Sequence, residues 1–165
     1  MNHLEPPYTH YVSAAQGWLE LGNIPEAEIE LARLPAELLQ HYSTLMVQWE
    51  IMARRKEWEA SLAAAKRIVE QVPDDPDGWI KQSFSLHELK RTEEARDSLL
   101  MIEARFPRIS IIPYNLACYA CQLGDTTDAM RRLKTAIKIG GKERIKGMAL
   151  EDLDLKPLRK EIQKL

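Results

Sequence analysis

Cys118-Tyr119-Ala120-Cys121 is the one place where the sequence sets two thiols at a spacing suited to metal binding or redox exchange. A zinc site asks for two further ligands, and the chain has no second such pair and no paired histidines. A redox pair belongs at a helix N-terminus, where the helix dipole lowers a thiol pKa. The apolar pattern instead places Cys118 and Cys121 mid-helix, so both are expected to be small packing residues, with no metal and no cofactor. The histidines, His3, His10, His41 and His87, are scattered, which suits solvated or capping roles; His87 alone is placed to touch a ligand. Asp74-Asp75 and Glu93-Glu94 fall at helix starts, where carboxylates complement the dipole. No glycine-rich phosphate loop and no nucleophile motif occur. The expectation is a protein that is not an enzyme.

The elements that carry these residues come from a repeat. Ala27, Ser61, Ala95 and Ala129 are small residues 34 positions apart. Leu31, Ala65, Leu99 and Leu133 follow in the same register, then Leu34, Ile68, Ile102 and Ala136. Four copies without an insertion mark a repeat array of helix pairs.

Taken in order, residues 1–7 carry Pro6-Pro7 and predict a flexible or extended lead-in. A first helix is predicted over 8–21, with Tyr11, Ala14, Ala15 and Trp18 on one stripe. Gly22-Asn23 ends it, and Pro25 sits in the first turn of a second helix that Pro35 stops early. The second copy faces Leu45, Trp49, Met52, Trp58, Ser61, Ala65 and Ile68 inward. Asp75-Pro76 opens the third, with Trp79, Ser83, Leu86 and Leu89 inward, and Thr92 is expected to cap its second helix. Ser110 is expected to cap the fourth copy, which buries Leu116, Ala117 and Ala120 and closes at Gly140-Gly141. Residues 142–150 and 155–164 read as two short helices that no longer match the repeat and cover its open end. The predicted organisation is therefore a lead-in (1–7), four repeats (8–41, 42–75, 76–109, 110–141) and capping helices (142–165).

Residues 8–141 resemble four tetratricopeptide repeats. Leu116-Ala117, Gly124-Asp125, Ala129 and Ala136 in the fourth copy, with Trp79 and Pro107 in the third, carry the likeness. Trp49 and Ser61 depart from it where alanine or glycine is usual. Asp152-Leu153-Asp154-Leu155-Lys156-Pro157-Leu158-Arg159 also resembles the tail that closes many bacterial arrays. The resemblance implies an all-α solenoid, a right-handed superhelix whose first helices line a concave groove, and a protein–protein interaction scaffold that holds a peptide there. By family geometry the lining comprises Val12, Ser13 and Gln16; Met46, Val47 and Glu50; Ile80, Lys81, Phe84 and His87; and Tyr114, Asn115 and Cys118. Phe84, Tyr114, Met46 and Val47 would be anchors, and Lys81, Asn115, Gln16 and Glu50 would set register. An apolar row facing water marks a binding surface; the alternative is that the terminal helices fold back over it. Some members grip a C-terminal carboxylate through basic and amide side chains. The matching positions here are Val12, Gln16, Val47, Asp77 and Lys81, of which only Lys81 keeps the charge, so that mode is not expected.

Composition sets the outer bounds. Hydrophobic residues make up 45% of the 165 and charged residues 29%, which excludes disorder as the main state and suits one domain with a continuous core. No apolar run approaches the roughly 18 residues of a membrane span, and Met1 to Pro7 shows no secretory signal. Cytoplasmic location is the resulting expectation, with no membrane partner. Residues 1–41 hold six acidic side chains and one basic, and residues 126–165 hold six acidic and 11 basic. That polarity suggests a second reading, weak end-to-end self-association of acidic on basic faces. Arg131, Arg132, Lys134, Lys138, Lys142, Arg144 and Lys146 form a dense basic cluster, but no aromatic platform stands beside them, so nucleic acid is not an expected partner.

Overall fold

The computed structural model describes residues 4–165. Ten α-helices are found among them: α1 (Tyr8–Glu20), α2 (Ile24–Leu31), α3 (Tyr42–Arg54), α4 (Trp58–Gln71), α5 (Pro76–Glu88), α6 (Thr92–Glu103), α7 (Ile111–Gln122), α8 (Thr126–Gly140), α9 (Lys142–Glu151) and α10 (Arg159–Gln163). Short 3-10 turns lie at Ala36–Leu38 and Lys156–Leu158. Instead of one continuous core, the chain forms two compact units, divided within α5: Met1–Lys81 and Gln82–Leu165.

The 34-residue register is a packing rule. Ala27, Ser61, Ala95 and Ala129 are each 0% exposed, so a larger side chain at these points would push the paired helices apart. In unit 1, Ala15, Leu19, Ala27, Leu31, Leu34, Val47 and Ile51 form one buried cluster, flanked by Tyr8, Tyr11 and Trp18. Leu45, Ala64 and Ile68 form another, under Tyr42, Met46, Trp49 and Met52. The first turn of α5 lies tight against α4: a Cβ on Gly78 would come within 2.8 Å of Ile68 Cγ2. In unit 2, Leu99, Ile102, Leu116, Leu133, Ile145, Leu155 and Ile162 are buried.

A second periodic feature is conformational. The residue two positions past the first helix of each pair has positive φ: Gly22 (77°), Lys56 (59°), Lys90 (64°) and Gly124 (90°), again 34 apart. Each is followed by a backbone N–H that reaches back to a carbonyl in the last turns of that helix: Asn23 to Trp18 (2.8 Å), and Glu57 to Met52, Arg91 to Leu86 and Asp125 to Ala120 (each 2.9 Å). This is the left-handed helix ending that glycine adopts freely. Lysine fills it in two copies, at a steric cost to each.

Three local expectations differ from the structure. Thr92 begins α6 but does not cap it, because its hydroxyl is hydrogen-bonded to His87 Nδ1 at 3.0 Å. Ser110 stands at the start of α7 without capping it, since its Oγ accepts from Arg144 Nη2 at 2.9 Å. Within the expected lead-in, Leu4 is buried and Tyr8 N–H bonds to Glu5 O, so residues 4–7 are neither extended nor free. The aliphatic side chain leaves water, and the turn satisfies the first N–H groups of α1. His3 lies outside the described residues.

The lysine endings yield a stability prediction. Lys90→Gly removes the left-handed penalty, of which glycine's larger unfolded-state entropy returns part, for a net gain of about 0.5–1 kcal/mol. Urea denaturation followed by circular dichroism measures it; an unchanged or lowered midpoint would show that the turn bears no strain.

Candidate functional site

The expected lining residues divide between the two units. In unit 1, Val12, Ser13 and Gln16 of α1 and Tyr42, Ser43, Met46 and Val47 of α3 border a cleft of about 390 Å³. Val47 is buried as its floor, Val12, Gln16 and Met46 are half-buried, and Ser13 is exposed. Glu50 stands one helical turn from Met46, where Gln16 Nε2 donates to it at 3.4 Å and Arg54 Nη2 at 2.6 Å. Lys81 places its Nζ 4.2 Å from the centre of the Trp49 ring, a cation–π contact, and burial pushes its pKa down. Ile80 beside it is half-buried. The Tyr42 hydroxyl donates to Asp75 Oδ2 at 3.0 Å; burial, then this bond, pushes its pKa up to about 12. Asp75 also accepts from Asp77 N at 2.8 Å, the predicted cap of α5.

Unit 2 departs from the expected open face. Tyr114, Asn115, Cys118 and His87 are all buried, and Phe84 alone of its expected lining is exposed, at 36%. The turn Asp152-Leu153-Asp154 after α9 lies against three of them. Tyr114 OH donates to Asp152 Oδ2 at 2.8 Å, Cys118 Sγ to the same oxygen at 3.5 Å, and Asp154 N to Asp152 Oδ1 at 2.9 Å. His87 Nε2 bonds to Asp154 Oδ2 at 2.9 Å and Gln122 Nε2 to Asp154 O at 2.9 Å. The other ring nitrogen, Nδ1, is hydrogen-bonded with the Thr92 hydroxyl at 3.0 Å. The imidazole also lies 4.8 Å from the Tyr119 ring, and Tyr119 OH donates to Ser83 Oγ at 3.2 Å. His87 is thus neither a solvated nor a capping histidine: it ties the first residue of α6 to the C-terminal segment.

Cys118 and the carboxylates of Asp152 and Asp154 offer ligand atoms within 4.8 Å of one another, a spacing that a cation could bridge. Burial, followed by the nearby Asp152 and Asp154 charges, pushes the Cys118 thiol well up. Burial likewise raises Tyr114. Hydrogen bonds from Tyr114, Cys118 and His87 hold the two carboxylates in place.

Asp152 and Asp154 were missed as partners because the tail shows no repeat in its residue types. The register nevertheless persists there. Gln16 meets Glu50, Ser110 meets Arg144 and Cys118 meets Asp152, each pair 34 residues apart. Adding 34 to Cys118 was the available signal for Asp152; His87 and Asp154, 67 apart, had none.

No protein-family model matches the chain, and no curated protein matches it. Solved structures do. MamA residues 41 to the end from Desulfovibrio magneticus RS-1 superposes with a TM-score of 0.72 at 14% identity, over 98% of this chain and 94% of that one. TTC0263, a thermophilic TPR protein of Thermus thermophilus, gives 0.72 at 17% identity, over 96% of this chain and all of the other. The fold is that of a tetratricopeptide repeat protein. MamA AMB-1 is a further structure with this TPR-like fold, at 0.65 and 16% identity, covering 80% of this chain and 78% of that one. No helix among the described residues of the TPR-like chain is long and apolar enough to cross a membrane.

The carboxylate turn yields the next prediction. Asp152→Ala leaves the buried Tyr114 hydroxyl without an acceptor and costs about 1–3 kcal/mol. Adding Tyr114→Phe then costs less than its effect alone, since no orphaned hydroxyl remains. Urea denaturation of the four proteins in this cycle measures the coupling; strictly additive losses would mean that the bond contributes nothing.

Proposed function

We propose that this chain is a protein-interaction scaffold whose partner-holding surface is the cleft of unit 1. The observation that carries the reading is the contrast between the two faces. The cleft between α1 and α3 has an apolar floor and neutral rims, whereas the corresponding positions of unit 2 are engaged by the chain's own Asp152 and Asp154. A TPR-like fold is a framework for presenting such surfaces. Val12, Met46 and Val47 would receive an apolar side chain of the partner, while Gln16 and Glu50 would meet its polar groups. Tyr114, Asn115, Cys118 and His87 serve the fold rather than the partner.

Ser13→Tyr tests this without disturbing the core, because Ser13 is exposed and a ring there fills the cleft. Capture from native lysate should retain a partner on wild type and lose it on the folded variant. Equal capture by both proteins would remove the cleft from consideration.

One observation favours the second reading, self-association. Residues 1–81 hold 13 acidic and seven basic side chains, and residues 82–165 hold 12 acidic and 16 basic, so the two units are oppositely charged. Contacts between unlike faces of two copies close into rings or extend as filaments. Sedimentation at low salt would then give oligomers that dissociate at roughly 0.5 M salt, where exposed charges are screened within a few ångströms. A monomer at low salt removes this reading.

A further inference from the structure

We infer that the segment held by the unit 1 cleft presents an uncharged apolar anchor flanked by lysine or arginine. The inference rests on the cleft being the partner-holding surface and names the chemistry of what it holds.

The anchor follows from the lining. Val12, Met46 and Val47 are apolar, Ser13, Ser43 and Gln16 are neutral, and no ionised side chain borders the space. A charged group entering it would lose hydration without gaining an opposite charge, whereas an aliphatic or aromatic side chain gains by leaving water. About 390 Å³ accommodates a large one.

The flanks follow from what stands behind the rim. Two lining residues are hydrogen-bonded outward to carboxylates: Gln16 to Glu50 and Tyr42 to Asp75, with Asp77 two residues further on. The cations nearby are already committed. Arg54 is paired with Glu50, Lys81 lies over Trp49, and Arg33 pairs with Glu30 at 3.2 Å while its guanidinium stands 5.6 Å from the Tyr11 ring. Helix α1 contains no lysine or arginine, and unit 1 carries six more acidic than basic side chains. The unit that carries the cleft is therefore net negative, which draws basic segments in and repels acidic ones.

The test is selection of a displayed random-peptide library on the full-length protein, run in parallel on Ser13→Tyr. Peptides enriched only on wild type are then synthesised and titrated by fluorescence anisotropy. The expected products carry one or two apolar residues between lysines or arginines. They bind wild type at least about tenfold more tightly than the variant and weaken about tenfold or more between roughly 0.05 and 0.5 M salt. Cleft-dependent peptides with neutral or acidic flanks, or binding indifferent to salt, would overturn the basic-flank inference and leave the cleft standing. Failure to enrich any peptide that distinguishes wild type from Ser13→Tyr would overturn the cleft itself, and this inference with it.

Discussion

Close approach of paired helices at a small residue, recurring every 34 positions, is the constraint on which the rest of this structure depends. Ala27, Ser61, Ala95 and Ala129 are wholly buried, and the apolar residues four and seven positions later follow the same helix face inward. One small residue per copy sets the separation of a helix pair; the residues beside it fill the space that this separation leaves. Serine is tolerated at position 61 because its hydroxyl is satisfied within its own helix, by Glu57 O at 3.0 Å. The left-handed ending at residues 22, 56, 90 and 124 is the second half of the device, since it turns the chain back at a fixed angle so that the next helix arrives in register.

That regularity explains why successive first helices place residue n beside residue n+34, and why the bonds from Gln16 to Glu50, Arg144 to Ser110 and Cys118 to Asp152 share one spacing. The same geometry has opposite outcomes in the two units. In unit 1 the neighbouring positions leave a cleft with an apolar floor. In unit 2 the register runs on into the tail, where the helix ends and the turn after it supplies carboxylates to the donors of α7. Tyr114 and Cys118 were suited to a binding face by position and by type. Their hydrogen-bonding capacity is used inside the protein instead. Leu153, 77% exposed between two anchored aspartates, shows that the turn is held by polar contacts and not by its own apolar side chain.

Much of this was legible in the residues. The helix pairs, the buried stripes, the early stop of α2 at Pro35 and the helical tail follow from spacing, because a core position must satisfy the same packing geometry in every copy. Residue types at such positions are therefore restricted, and restriction makes a periodic signal. Lys56 and Lys90 show where the signal thins: the backbone conformation repeats, but lysine hides the ending that glycine announces at 22 and 124. Thr92 and Ser110 show the same limit for caps. Their types fit the role, yet a nearby His87 and a more distant Arg144 compete for the hydroxyls.

The sequence by itself determined the repeat, the all-α class and the inward stripes, since these depend on short-range periodicity and on volume. Only the tertiary structure decided that the core divides within α5, that the tail keeps the register, and that one face is closed while the other remains a cleft. Those outcomes depend on which polar groups meet across long stretches of chain, as Tyr114 and His87 meet the aspartates of the tail. No single residue type dictates such a meeting. A hydrogen bond requires its two atoms within about 3 Å at a favourable angle, and only the packed chain sets that distance.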